Sequence, residues 1–212
     1  MIDLYTWTTP NGRKVSILLE ELCIPYTVHS IDISKNEQFA SDFLKIAPNN
    51  RIPAIIDQET GIHLMETGAI MMYLASKHRK FQCRGDEYWR MVEWMMWQVG
   101  GLGPMLGQLH HFVKYNKGTS AYAEKRYQTE AKRLYSVLNE RLAGRDFIAG
   151  EGNGVYSIAD IACWPWVSRF EWQEIDLRDF SNIRDWYVRI AGRPAVQRGY
   201  SVPKFTTEVP MP

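Results

Sequence analysis

The chain has 212 residues, 45% of them apolar and 23% charged, with a formal net charge of +1. These are the proportions of an ordinary water-soluble globule, large enough for one large domain or two small ones. They supply no field to draw nucleic acid or an anionic membrane. No apolar run approaches the ~20 residues of a membrane span, and Met1-Ile2-Asp3 lacks the basic start of a signal peptide. Three cysteines, Cys23, Cys83 and Cys163, are widely spaced without a C-x-x-C, which points to unpaired thiols in a reducing cytoplasm.

In chain order, Ile2 to Tyr5 alternates as a short strand, and Val15, Leu18, Leu19 and Leu22 mark one face of a helix. Between them Thr9 occupies an N-cap position and Pro10 the first helical position, where its missing N–H costs nothing. Such a junction aims free backbone N–H groups, the positive end of the helix dipole and hydroxyls at one spot, which suits an anion. Tyr26 to Ile33 alternates as a second strand. Gln38 to Ile46 is expected to be a short helix with Phe39, Phe43 and Ile46 inward. Breaker-rich Pro48-Asn49-Asn50-Arg51-Ile52-Pro53 follows. Ala54–Asp57 and Ile62–Met65 form a hairpin, and Glu66-Thr67-Gly68 opens a third helix.

A charged stretch ending at Gly85 reads as the linker, and no strand pattern appears beyond it. Glu87 to Gln98 and Gln108 to Lys114 read as helices, interrupted at Gly100-Gly101-Leu102-Gly103-Pro104. Tyr122 to Leu142 is a long helix with Tyr127, Ala131, Leu134, Leu138 and Leu142 as its inner stripe. Ser157-Ile158-Ala159-Asp160 is a capping box heading a helix to Phe170, and Ile183 to Ala191 is another. The tail from Val202 carries three prolines and is expected to be loose. Cys23 and Cys163 read as core residues, and Cys83 falls in the linker, where it is expected to be exposed with nothing to mark it as reactive. His110-His111 is no metal site, because neighbouring helical residues point about 100° apart and no further ligand stands at the needed spacing.

The β-α-β-α-β-β-α unit followed by helices resembles the cytosolic glutathione transferase superfamily. Four motifs carry the likeness: Asp3-Leu4-Tyr5 leading to Thr9-Pro10, Asn49-Asn50-Arg51-Ile52-Pro53-Ala54, Glu66-Thr67-Gly68-Ala69-Ile70, and Ser157-Ile158-Ala159-Asp160. Thr9-Pro10-Asn11-Gly12 and Trp97 through Met105 further resemble the nu class, bacterial glutathione-dependent disulfide-bond oxidoreductases. The chain departs from that class at Leu109, where an asparagine precedes the His pair.

The resemblance implies a thioredoxin-like glutathione-binding domain over residues 1–79, a linker over 80–85 and an all-helical domain over 86–212. It implies a homodimer that uses glutathione, reduced or as the disulfide, and no metal. Thr9, assisted by Asn11, would hold the glutathione sulfur as a thiolate. A cis Pro53 would leave the backbone of Ile52 free to pair with the cysteinyl part, beside Arg51. Thr67 would bind the γ-glutamyl carboxylate, Glu66 its ammonium and Gln38 the glycyl end. Arg133 would reach a partner subunit's glutathione, and Trp97, Met105 and His111 would line the acceptor pocket.

Plain capping accounts for Thr9 and Thr67 without any ligand, and Tyr5 is the rival sulfur partner because other classes use a first-strand tyrosine. The expected activity is reduction of small disulfides. An electrophile-conjugating transferase and a non-catalytic binding module are the competing readings.

Overall fold

A computed structural model describes residues 1–212, which divide into two compact units. The first contains Met1–Lys80 and Ala191–Val209, and the second Phe81–Ile190 and Pro210–Pro212.

The first unit is built on a four-stranded sheet with strands β1 (Ile2–Thr6), β2 (Tyr26–Ser30), β3 (Ala54–Asp57) and β4 (Ile62–Met65) in the order β2-β1-β3-β4. Strand β1 pairs parallel to β2 and antiparallel to β3, with Leu4 opposite Val28 on one side and Ile55 on the other. Hairpin β3–β4 sets Ile55 opposite Leu64. Because strand side chains alternate, Ile2, Leu4 and Thr6 fall on the buried face.

Helix α1 (Pro10–Leu22) buries Val15, Leu18, Leu19 and Leu22 as the periodicity requires. Each such side chain contributes roughly 1.5–3 kcal/mol. Burial extends round the helix to Arg13, Lys14, Ser16 and Ile17, because α1 packs against both α3 (Thr67–His78) and α9 (Pro194–Tyr200). Gly199 makes the second contact possible, since a Cβ there would stand 2.6 Å from Ile17 Cα. Ser16 Oγ donates to Gly199 O at 2.7 Å, and Arg193 forks onto the Glu21 carboxylate at 2.6 and 2.8 Å.

Two sequence expectations fail in this unit. Strand β2 ends at Ser30 rather than Ile33, because Asp32 Oδ1 accepts from the Ser34 N–H and captures the backbone in a turn. The helix expected over Gln38–Ile46 shrinks to α2 (Ser41–Leu44), preceded by two 3₁₀ turns, Ile33–Lys35 and Glu37–Phe39. Asn36 in the left-handed region and an extended Ala40 divide the segment. Phe43 is buried as expected, whereas Phe39 is 53% exposed.

The second unit is helical: α4 (Asp86–Trp97), α5 (Gly103–Leu109), α6 (Ala121–Arg141), α7 (Ile158–Val167) and α8 (Ser181–Ala191). Gly100-Gly101 does not break the chain. Two π-helical turns, Gln98–Leu102 and His110–Tyr115, flank α5, and Pro104 follows the wider first turn. Helix α6 buries Ala131, Leu134 and Leu138, with Leu142 buried just beyond its end and Tyr127 half-buried. Asp160 Oδ2 accepts from the Ser157 N–H at 3.0 Å, completing the capping box of α7.

The prolyl tail is held rather than loose. Arg13 Nη2 donates to Thr206 Oγ1 at 3.1 Å within the first unit, and Tyr187 Oη donates to Pro210 O at 2.6 Å within the second.

Candidate ligand-binding site

The head of α1 is shaped by Thr9, whose extended backbone (φ −111°, ψ 161°) brings the chain off β1. Its Oγ1 accepts from the Gly12 N–H at 3.1 Å, and its carbonyl accepts from Arg13 N at 3.0 Å. A hydroxyl that already accepts keeps its single hydrogen for another group. Gly12 is required here, since a Cβ would meet Trp7 O at 2.2 Å and Thr6 Oγ1 at 2.5 Å.

Two residues along, Asn11 lines a small cavity of about 140 Å³ together with Arg51, Ile52, Pro53, Glu66 and Thr67. The Ile52–Pro53 bond is cis. Ile52 precedes Ala54, the first laddered residue of β3, so its N–H and C=O stand outside the sheet pairing. Glu66, the exposed residue capping α3, has φ 70° and ψ 117°, a region that non-glycine residues rarely occupy. Such outliers persist where the surroundings over-determine them and concentrate at ligand clamps. Thr67 is buried at the first position of α3, with the helix N–H groups behind it.

The cavity thus opposes an acceptor, Glu66, to the donors of Asn11, Arg51, Thr67 and a helix start. It is chemically fit for a small zwitterionic peptide with an α-amino carboxylate at one end. Gln38 does not line it. It lies on the Glu37–Phe39 turn, with Oε1 buried and without a hydrogen-bond partner. Thr9 stands beside the lining rather than in it.

The remaining expected residues are dispersed. Trp97 lines a groove with Arg90, Trp94 and Arg141, whereas Met105 lines another, of about 520 Å³, with Tyr122, Arg126 and Glu130. His111 is exposed and lines neither. Arg133 is exposed and forks onto Glu130 at 2.6 and 2.8 Å on its own helix. Tyr5 stacks on His29 with ring centroids 4.5 Å apart and packs against Phe43. Burial, with Asp3 nearby, raises its phenol above the ordinary range and keeps it protonated.

The cysteines depart from expectation. Cys23 is exposed, because it ends α1 in the left-handed conformation (φ 57°) rather than on the inner face. Cys83 is buried in the second unit, and burial pushes its thiol up to about 11, which makes it unreactive at neutral pH. Cys163 is buried as read. No group of three or more His, Cys, Asp or Glu side chains is placed to hold a metal ion.

Lys14 escaped the sequence reading. It is 2% exposed and donates through Nζ to Thr67 Oγ1 at 3.3 Å. The signal was available: Lys14 stands four residues before the buried Leu18, on the inner stripe of α1.

A β-α-β-α-β-β-α unit with a cis-proline before its third strand is a thioredoxin-like fold, and here it carries a cavity lined by Asn11, Arg51, Glu66 and Thr67. The chain belongs to the glutathione S-transferase family: residues 1–76 match that family's N-terminal domain and residues 102–194 its C-terminal domain. It is 47% identical over 201 residues to the disulfide-bond oxidoreductase YfcG of Escherichia coli, covering 92% of each chain. Its structure is similar to a glutathione transferase of Burkholderia graminis solved with two glutathione molecules per subunit (TM-score 0.89, 40% identity, 97% of this chain and 89% of that one). A glutathione transferase of Pseudomonas putida, solved with one glutathione disulfide per subunit, is similarly close (TM-score 0.88, 36% identity, 95% and 91% coverage).

Proposed function

We propose that the protein is a glutathione-dependent disulfide-bond reductase whose nucleophile is the sulfur of bound glutathione. The chain has no C-x-x-C, so its own contribution is to bind, align and ionise a sulfur supplied by the ligand. The bound thiolate attacks one sulfur of a small disulfide. The S–S bond breaks, a mixed disulfide with glutathione forms, and the departing thiolate takes a proton. A second glutathione thiolate then resolves the mixed disulfide, so that two glutathiones and one disulfide become glutathione disulfide and two thiols. The relatives support this reading, one by its name and the other by the glutathione disulfide it holds.

In this reading residues 1–79 carry the glutathione. Glu66 and Thr67 take the γ-glutamyl ammonium and carboxylate, Ile52 ahead of Pro53 pairs with the cysteinyl backbone beside Arg51, and Gln38 meets the amide of the glycyl end. Arg133 leaves Glu130 to reach glutathione on the partner of a homodimer working in the cytoplasm.

The observation that carries the reading is the bond from the Gly12 N–H to Thr9 Oγ1. It leaves the hydroxyl hydrogen for a sulfur at the head of α1, with Asn11 beside it. A free thiol with a pKa of ~8.5 is only a few per cent thiolate at neutral pH, and lowering it by two units takes roughly 2.7 kcal/mol. One hydrogen bond to a charged group contributes about 1.5–3 kcal/mol and a helix terminus about 0.3–1 kcal/mol, which together suffice.

The test is Thr9→Ala beside Thr9→Ser, with the bound thiol titrated by thiolate absorbance and the reduction of a small disulfide compared with conjugation of an aryl halide. Thr9→Ala should raise the thiol pKa and slow reduction about 10- to 100-fold, with Thr9→Ser close to wild type. An unchanged pKa and rate in Thr9→Ala would assign ionisation elsewhere. Fast conjugation with feeble reduction would favour a conjugating transferase.

A further inference from the structure

We propose that Lys14 is a positioning residue that turns the Thr67 hydroxyl hydrogen towards the ligand, and thereby makes the site favour a carboxylate at that position. The assignment rests on the reading of the cavity as a glutathione site and concerns a residue that does not line it.

Lysine is almost never fully buried, because taking an ammonium out of water is costly unless polar groups receive it. Lys14 is nevertheless 2% exposed, inside α1 and against the first turn of α3. Its Nζ lies 3.3 Å from Thr67 Oγ1. Direction follows from chemistry. An ammonium has three donors and no acceptor, so between these two atoms the lysine donates and the hydroxyl oxygen accepts. The threonine hydroxyl has one hydrogen, and that hydrogen must turn away from Lys14. Thr67 itself lines the cavity, so the lysine orients the hydroxyl as a donor towards a ligand.

The hydroxyl is then set to donate to an anionic oxygen, and its burial makes that bond stronger than it would be in water. A ligand group that must itself donate at this point competes with Lys14 for the hydroxyl oxygen and leaves the hydroxyl hydrogen without an acceptor. The acceptor demanded at the Thr67 end is therefore an anion, while the exposed Glu66 carboxylate next to it takes the cation of the same zwitterion. Without Lys14, the Thr67 hydroxyl is free to rotate and this discrimination is lost, although the backbone N–H groups of α3 remain.

The experiment compares glutathione with its analogue lacking the γ-glutamyl α-carboxylate (4-aminobutyryl-cysteinylglycine), on wild type, Lys14→Met and Lys14→Arg. Binding is followed by calorimetry, and KM and kcat by disulfide reduction. Lys14→Met should raise Kd and KM for glutathione about tenfold and leave kcat within about twofold. The analogue's Kd should move less than about twofold, because its missing carboxylate has nothing to lose. Lys14→Arg keeps a donor-only cation and should stay within about threefold of wild type for both ligands. In a Thr67→Val background, Lys14→Met should add no further loss.

Should Lys14→Met lose its cooperative thermal transition, Lys14→Gln carries the same test. Its amide accepts as well as donates, so it too should lose the preference for glutathione over the analogue. Equal weakening of both ligands, or a persisting Lys14→Met effect in Thr67→Val, overturns the proposal by showing that the lysine supports only the fold. A wild-type protein that binds neither ligand refutes the glutathione reading itself. A wild type that binds both equally refutes carboxylate selection at Thr67 while leaving glutathione binding standing.

Discussion

The Arg13 guanidinium lies 3.5 Å above the Tyr200 ring centroid, and its Nε donates to the Tyr200 carbonyl at 3.0 Å. Arg13 is fully buried two residues after Asn11. It fastens the end of α9 and, through Thr206, the following tail onto the helix that bears the Thr9 turn.

Arg13→Met keeps the bulk but removes these donors, leaving a buried carbonyl without them. Urea unfolding should show a loss of about 2–4 kcal/mol. Lys204, whose Nζ lies 4.3 Å over the Trp7 ring, offers a second readout. Trypsin should cut after Lys204 faster in the variant than in wild type. Equal cutting would mean that the tail is held by other contacts.

Gly12→Ala places a methyl group against the Trp7 carbonyl and Thr6 Oγ1, at 2.2 and 2.5 Å. The carbonyl belongs to the backbone and cannot step aside, so the turn must move. The cost should be about 1–3 kcal/mol, and glutathione-dependent reduction should fall with it because Thr9 loses its place. Gly100→Ala is the control. Nothing lies within 4 Å of its Cβ position, and its stability should stay within about 0.5 kcal/mol of wild type.

His110 gives the second unit a pH limb. Gln173 Nε2 donates to the Trp166 carbonyl at 2.9 Å and stands 3.1 Å from His110 Nε2, while the Tyr135 hydroxyl donates to Gln173 Oε1 at 2.5 Å. The amide nitrogen therefore faces the imidazole, and His110 Nε2 must accept, which needs a neutral ring. Burial first, and then the nearby Arg169 charge, lower its pKa from 6.5 to about 4. The folded state thus binds fewer protons than the unfolded state between these values. Stability is fully present above pH 6.5 and is lost as pH falls towards 4, by about 3 kcal/mol. Urea unfolding from pH 7.5 to 4 should show this limb in wild type, and His110→Asn should flatten it. An identical slope in the two proteins would locate the protons elsewhere.

What could be read from the chain alone is what a few neighbouring residues decide. Thr9 with Pro10 announces the start of α1, Ser157 with Asp160 that of α7, and the Ala131-Leu134-Leu138 stripe the inner face of α6. Caps and helical periods are local, so their physical causes lie within one or two turns of sequence. The motifs Arg51-Ile52-Pro53 and Glu66-Thr67 were legible too, and the fold brings both to one cavity with Asn11.

The tertiary structure decided the rest, because burial of a polar group depends on residues remote in sequence. Lys14 meets Thr67 across 53 positions and Arg13 meets Tyr200 across 187, and no window of sequence contains both partners. Packing likewise turned Cys83 inward, whereas the local backbone conformation exposed Cys23 and divided the expected helix at Ala40. Local signals determine where elements begin and end. Only packing decides which polar side chains they enclose, and here it sets Lys14 behind Thr67, a residue that lines the cavity.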